Sequence, residues 1–249
     1  QNEEGIGNAL KSLAVPRNEI YITTKMWPGM FNQEEPFQTF DGAIKACEQS
    51  LKFLQVDEID LYLIHNPFAK ENRLELWEAM IELKKQGKAK HIGVSNYNVH
   101  HIEEIEAAGI EMPSANQIEI HPWHVVSKFL AEYMDKHEIL PIAYSTLAPI
   151  PNWREGSRWN GKPEDMKSGA MPCEDIANNY RVTVPQLFLK WAIQLGYPVL
   201  PKSVKYDRLK ENLSLDHFEI SLDDMTSISN IAIDEQKCLA WSGDFDPLE

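Results

Sequence analysis

The sequence predicts an α/β fold built on a parallel sheet, and three observations carry that prediction. Short runs rich in Val, Ile and Leu recur along the chain, as strands buried on both faces do. Helical stretches alternate with them, as in FDGAIKACEQSLKFL, whose apolar residues return at three- and four-residue spacing. Each run also closes on polar residues: Lys25 in IYITTK, His65 in DLYLIH, Ser95 and Asn96 in HIGVSN, Gln117 in SANQ, Tyr144 and Ser145 in LPIAYS, and Lys202 and Ser203 in VLPKS. In a (β/α)8 barrel the carboxyl ends of the strands form the active-site rim.

The elements follow in order. The chain opens into a helix from about Glu3 to Leu13, with Asn2 as its cap and Glu3 and Glu4 near its positive end. IYITTK precedes a long loop, Trp27 to Gln38, and the helix FDGAIKACEQSLKFL. DEIDLYLIH leads to LELWEAMIELKKQG, closed by Gly87 with Lys84 and Lys85 in its last turn. AKHIGVSN leads to VHHIEEIEAAG, closed by Gly109, and SANQIEI to SKFLAEYMDKH. LPIAYS precedes a Pro/Trp/Gly-rich stretch, 146–172, and then CEDIANNYRV and PQLFLKWAIQLG. YPVLPKS leads to DRLKENLSL, and LDDMTSISNIAI begins a last helix and an irregular arm.

Alternation of strands with helices of this length implies βαβ units. No linker, composition shift or repeat interrupts it, so residues 1–249 read as one domain. Six strands are visible where a closed barrel needs eight. The expectation is a (β/α)8 barrel lacking its first two strands and first helix; an open six-stranded parallel sheet is the competing architecture. Gln1 is not a methionine and no signal peptide stands near it, so the chain reads as one with a truncated N-terminus.

Bulk properties exclude whole classes of function. The 249 residues carry a net charge of −14, which argues against nucleic acid and anionic membrane surfaces, since both need a basic face. No apolar run approaches the ~20 residues of a membrane span. Cys47, Cys173 and Cys238 are odd in number and contain no CxxC pair, which points to free thiols in a reducing compartment. A cytoplasmic monomer is the expectation.

The segments QNEEGIG, ITTKMW, DLYLIHNP, GKAKHIGVSNYN, NQIEIHP, PIAYSTLAP, PQLFLKWAIQ and PKSVKYDRLKENL together resemble the aldo-keto reductase family, nearly from the first residue to the last. The resemblance implies an NAD(P)-dependent TIM barrel that interconverts carbonyls and alcohols. It also implies four catalytic residues, Asp, Tyr, Lys and His. Lys25 matches the lysine and His65 the histidine. The family's tyrosine stands just before an x-N-E segment, here Gln1-Asn2-Glu3, and would be the residue immediately before Gln1, with the aspartate a few positions earlier. A protein beginning at Gln1 is therefore expected to be nearly inactive.

That expectation has a chemical basis. Carbonyl reduction needs a proton from a positioned acid whose pKa has been brought towards the working pH. A tyrosine starts near ~10, and a neighbouring ammonium such as Lys25 lowers it. His65 can orient the carbonyl oxygen. A lone Lys or His at a strand end is more often structural; two at matching rim positions, in order, favour function. His91, His100, His101, His124, His137 and His217 read as ordinary, and His121 as a packed or hydrogen-bonded loop residue. No Cys or carboxylate stands at metal-ligand spacing beside His100 and His101, so no metal is expected.

No G-x-G-x-x-G follows a strand, so a dinucleotide would not be held by a Rossmann turn. PKSVKYDRLKEN instead concentrates Lys202, Lys205, Arg208 and Lys210 at a strand-to-helix junction, where backbone N–H groups favour anions. The resemblance assigns Lys202, Ser203 and Arg208 to the 2′-phosphate of NADP, and Val204, Glu211 and Asn212 to the adenine half. NADPH is thus favoured over NADH; a solvated basic helix start is the plain alternative. At the nicotinamide end the resemblance implies Ser95, Asn96 and Gln117 for the carboxamide and Tyr144 stacked on the ring. Ser145 and Leu147 would line the pyrophosphate.

Trp27 matches a substrate-pocket aromatic. Trp123 and Trp153 are weaker candidates, while Trp77 and Trp191 read as core. The chain departs from the common pattern at Asn66, where many relatives carry an aromatic, and in the loop 152–161. Its short C-terminal arm suggests an open pocket. The first reading is an NADPH-dependent aldehyde and ketone reductase; the second is a family member that binds NADP(H) with little turnover.

Overall fold

The computed structural model describes residues 2–29, 38–150, 173–231 and 238–240. Two compact units are distinguished, Gln1–Asn116 with Asp135–Ile139, and Gln117–Met134 with Leu140–Pro247.

In the first unit, helix α1 (Glu3–Ser12) precedes strand β1 (Thr23–Met26), α2 (Phe40–Leu54), β2 (Ile59–Ile64), α3 (Arg73–Lys85), β3 (Ala89–Ser95) and α4 (Val99–Ala107). β1 pairs with β2, and β2 with β3, both in parallel, and the start of β4 (Ala115–Glu119) follows β3. All six residues of β2 are buried, which is why IDLYLI carries no polar alternation. Trp77, expected in the core, is fully buried, as is Trp191 in the second unit.

The helix ends are set by local chemistry. Asn2 occupies the cap position of α1, but its side chain makes no capping bond. Thr39 does cap α2, accepting from Gly42 N at 3.1 Å, and Asn98 with His101 forms a capping box on α4. Gly87, after α3, takes φ +72°, the left-handed conformation for which glycine is suited. Gly93 serves a different purpose: a Cβ there would lie 2.6 Å from the Ala115 carbonyl oxygen, so β3 and the chain entering β4 approach too closely for any side chain.

At the amino ends of the strands Asp60, 5% exposed, accepts from Arg17 at 2.7 Å, Lys90 at 2.8 Å and Ile22 N at 2.8 Å. A cavity of about 570 Å³ opens beside this network, lined in part by Arg17, Ile20, Val56, Glu58 and Lys90. Arg17 and Lys90 in its wall are paired within the protein, and it lies at the strand ends opposite to Lys25 and His65.

In the second unit, the rest of β4 neighbours β5 (Leu140–Tyr144), and α5 (Lys128–Lys136) begins between them. Then come α6 (Glu174–Tyr180), α7 (Val184–Gln194), α8 (Tyr206–Leu213) and α9 (Leu222–Ser229). α7 opens on a Thr183–Gln186 capping box. The sixth expected strand, at VLPKS, is reduced to a bridge between Val199 and Ala143, carried by Ala143 N to Pro198 O at 2.8 Å and Leu200 N to Ala143 O at 3.1 Å. Pro198 lacks the N–H that would extend the ladder towards Pro141.

Candidate active site

β1 and β2 are in register with Lys25 opposite Leu63 and Met26 opposite Ile64. The next step of the ladder is His65 N to Met26 O at 3.0 Å. This register brings Lys25 and His65 together at the carboxyl ends of adjacent strands. Trp27 stands edge-on to the His65 ring, with centroids 5.0 Å apart and planes at 88°, and remains 37% exposed. Asn96, in the left-handed region at φ 61° where Asn is tolerated, donates from Nδ2 to the His65 carbonyl at 2.9 Å and to Ser95 Oγ at 3.2 Å. Trp27, His65, Ser95 and Asn96 are thus joined by contacts at the strand ends, with Lys25 on the adjacent strand.

The electrostatics follow from burial. Desolvation lowers the Lys25 pKa from its usual 10.5 to about 8, and no carboxylate pairs with it among the described residues. Desolvation, then the charge of Lys25, lowers His65 from 6.5 to about 4. At neutral pH the imidazole is therefore uncharged and able to donate an N–H to an oxygen, beside an ammonium held close to its titration point.

A support to which motif reading gave no role follows His65 directly in the chain. Asn66, 1% exposed, donates to Gly29 O at 3.3 Å and accepts from Phe68 N at 3.0 Å. Gln38 donates to Pro28 O at 2.7 Å and Asn72 to Gln38 O at 2.6 Å. The segment carrying Trp27 is therefore tied to the loop that follows His65. The signal was present in the sequence as a polar residue standing between His65 and Pro67.

In the second unit Gln117 is buried at 3% within β4, rather than closing it. Tyr144 ends β5 and accepts from Ile120 N at 3.2 Å. Ser145 has φ 55° and opens a turn closed by Ala148 N to Ser145 O at 2.7 Å; Leu147 lies in that turn. Lys202, Ser203 and Val204 form the approach to α8, with Ser203 Oγ accepting from Lys205 N at 3.1 Å and Val204 83% exposed. Arg208, Glu211 and Asn212 lie three and four residues apart and share one face of α8. Glu211 is engaged by Thr183.

The first turn of α8 has no side-chain cap, and Lys202 and Arg208 have no anionic partner among the described residues. Uncapped N–H groups flanked by unpaired cations fit a phosphate, so the residues suit a phosphorylated dinucleotide. Trp153 and the loop 152–161 lie outside the described residues. Trp123 is half-buried and packs against Phe188, centroids 6.2 Å apart.

Motif reading also passed over Glu119. Its carboxylate, 2% exposed, accepts from His121 Nε2 at 2.9 Å, Cys238 Sγ at 3.1 Å, Leu239 N at 2.7 Å and Ala240 N at 2.9 Å. His121 Nδ1 accepts from Trp123 N at 3.2 Å, which fixes the proton on Nε2 and makes His121 a neutral donor. Burial pushes the Glu119 carboxyl up, yet His121, His124 and the Cys238 thiol together hold it below the usual value. The sequence signal was a glutamate two residues beyond Gln117 inside an apolar strand.

The sequence profile of the Aldo/keto reductase family matches residues 1–233. The chain is 36% identical to a glyoxal reductase of Bacillus subtilis over 236 residues, 95% of this chain and 77% of that protein. It is 35% identical to the methylglyoxal reductase DkgA of Escherichia coli K12, over 93% of this chain and 76% of that one. Among solved structures it resembles MGS-M4, an aldo-keto reductase from a Medee basin deep-sea metagenome library, with TM-score 0.80, 31% identity and coverage of 98% and 83%. It also resembles a Bombyx mori aldo-keto reductase solved with NADP, with TM-score 0.77, 30% identity and coverage of 92% and 75%. The expected (β/α)8 fold class is that of these structures.

Proposed function

Since the chain belongs to the aldo/keto reductase family, we propose that it is an NADPH-dependent reductase of aldehydes and ketones, with small reactive aldehydes such as glyoxal and methylglyoxal as first substrates to try. The observation that carries this reading is the neutral imidazole of His65 beside the depressed ammonium of Lys25, walled by Trp27. When bound, NADPH supplies a hydride to the carbonyl carbon. His65 donates an N–H to the carbonyl oxygen and orients it, and Trp27 excludes water from one side. By the family resemblance, a tyrosine at the position immediately before Gln1 gives the proton to that oxygen; Lys25 beside it stabilises the phenolate left behind.

The cofactor roles follow the chemistry of each group. Lys202, Ser203 and Arg208 would hold the 2′-phosphate, and Val204, Glu211 and Asn212 the adenine half. Ser95, Asn96 and Gln117 suit the carboxamide, Tyr144 the ring face, and Ser145 and Leu147 the pyrophosphate. NADPH titration followed by tryptophan fluorescence tests the reading. Quenching by NADPH that weakens about tenfold or more in Lys202→Met with Arg208→Met is expected from losing charge-assisted phosphate contacts. No quenching in the unmutated chain would sink it. The second reading, a protein that binds NADP(H) with little turnover, is favoured if quenching occurs and methylglyoxal reduction stays absent once a tyrosine precedes Gln1.

A further inference from the structure

The C-terminal residues 238–240 are fastened to β4 by a single buried carboxylate. Glu119 receives the Cys238 thiol and the backbone N–H groups of Leu239 and Ala240, the latter on both oxygens, at 2.9 and 3.0 Å. Leu239 packs on Ala148, with Trp123 against them. Gln117 and Glu119 are two residues apart on β4 and therefore share a face of the strand. Ala148 directly follows Leu147 in the turn after β5. Within the second unit the segment thus contacts Glu119 and Ala148, which stand next to Gln117 and Leu147, two positions that the proposed function gives to the cofactor.

Such a site is chemically one-sided. A carboxylate offers only acceptors, and the donors from 238–240 are two N–H groups and a thiol, so no neutral side chain of the same shape satisfies all of them. We propose that Glu119 is a positioning residue that holds residues 238–240 beside Gln117 and Leu147, so that the C-terminal segment forms part of the cofactor site. The anchoring half stands on the hydrogen bonds alone; the cofactor half rests on the proposed function.

The test uses thiol labelling of the 249-residue chain with iodoacetamide, read residue by residue by peptide mass spectrometry. In Glu119→Gln, replacement of one accepting oxygen and of the charge by an amide donor should raise the labelling rate of Cys238 about tenfold or more, with Cys173 unchanged. Cys47, which is buried, reports global unfolding. If it labels too, Ala240→Pro, which removes a donor and leaves the carboxylate, replaces the first variant and should release Cys238 in the same way. Unchanged Cys238 labelling in a folded variant would overturn the anchor. In the unmutated chain, NADPH at saturation should slow Cys238 labelling, and in Glu119→Gln that protection should vanish. Binding of NADPH, seen by fluorescence, without protection of Cys238 would overturn the cofactor half. Absence of NADPH binding altogether refutes the proposed function and with it that half, while leaving the anchor to be judged by its labelling ratio.

Discussion

Lys25 is a residue whose chemistry works against stability. Its folded pKa of about 8 lies below its usual 10.5, so at neutral pH the folded state holds an ammonium that burial disfavours. The sign is that of a penalty: the unfolded chain binds the proton more tightly, and the cost is full below about 8 and fades as pH rises to 10.5. Lys25→Met should therefore raise stability at pH 7 by about 1–2 kcal/mol, discounted for partial solvent access. Calorimetry of both proteins should show the gap closing towards pH 10.5; a gap independent of pH would refute the charge argument. His65 behaves in the same sense at lower pH. Its folded value of about 4, against 6.5, means that stability is full above 6.5 and is lost as pH falls towards 4. His65→Gln should flatten that part of the stability profile in acid denaturation.

At the scale of elements, two places hold backbone segments at distances that one substitution would break. Gly93→Ala puts a methyl 2.6 Å from the Ala115 carbonyl, a backbone atom that cannot swing aside. The expected loss is about 1–3 kcal/mol, as in an overpacked core, read as a lower urea midpoint. Asn66→Leu keeps the volume but leaves Phe68 N and Gly29 O without their partner, costing about 1–3 kcal/mol. It should also loosen Trp27, so that the emission difference between Asn66→Leu and its Trp27→Phe derivative shifts to longer wavelength; an unshifted difference would show that the Asn66 amide does not hold that loop. The sequence made these elements legible because helix period, caps and glycine stops are local signals. It did not reveal that VLPKS would be a bridge, although Pro198 was in plain view, because an apolar run looks like a strand whether or not its N–H groups can pair. Asn2 looked like a cap from residue type alone, which carries no information on where its side chain turns.

For the whole molecule, the candidate site was legible in the sequence where its residues close adjacent strands, as Lys25 and His65 do, and hidden where long-range partners decide. Glu119 meets donors about 120 residues away in the chain, a separation no local pattern records. Charge is the other property of the whole. A net charge of −14 repels an anionic cofactor from a distance, whereas Lys202 and Arg208 would attract its 2′-phosphate at contact. Range decides which governs selectivity. At ~0.1 M salt the Debye length is about 10 Å, so the distributed charge is largely screened while adjacent pairs still interact. The preference for NADPH over NADH should therefore be clear at ~0.1 M salt and decline towards ~1 M, where the screening length drops to about 3 Å. In Lys202→Met with Arg208→Met the two cofactors should bind nearly alike, with a flat salt dependence. Competitive titration of both cofactors across that range checks it, and a salt-independent NADPH preference would place selectivity outside the α8 approach.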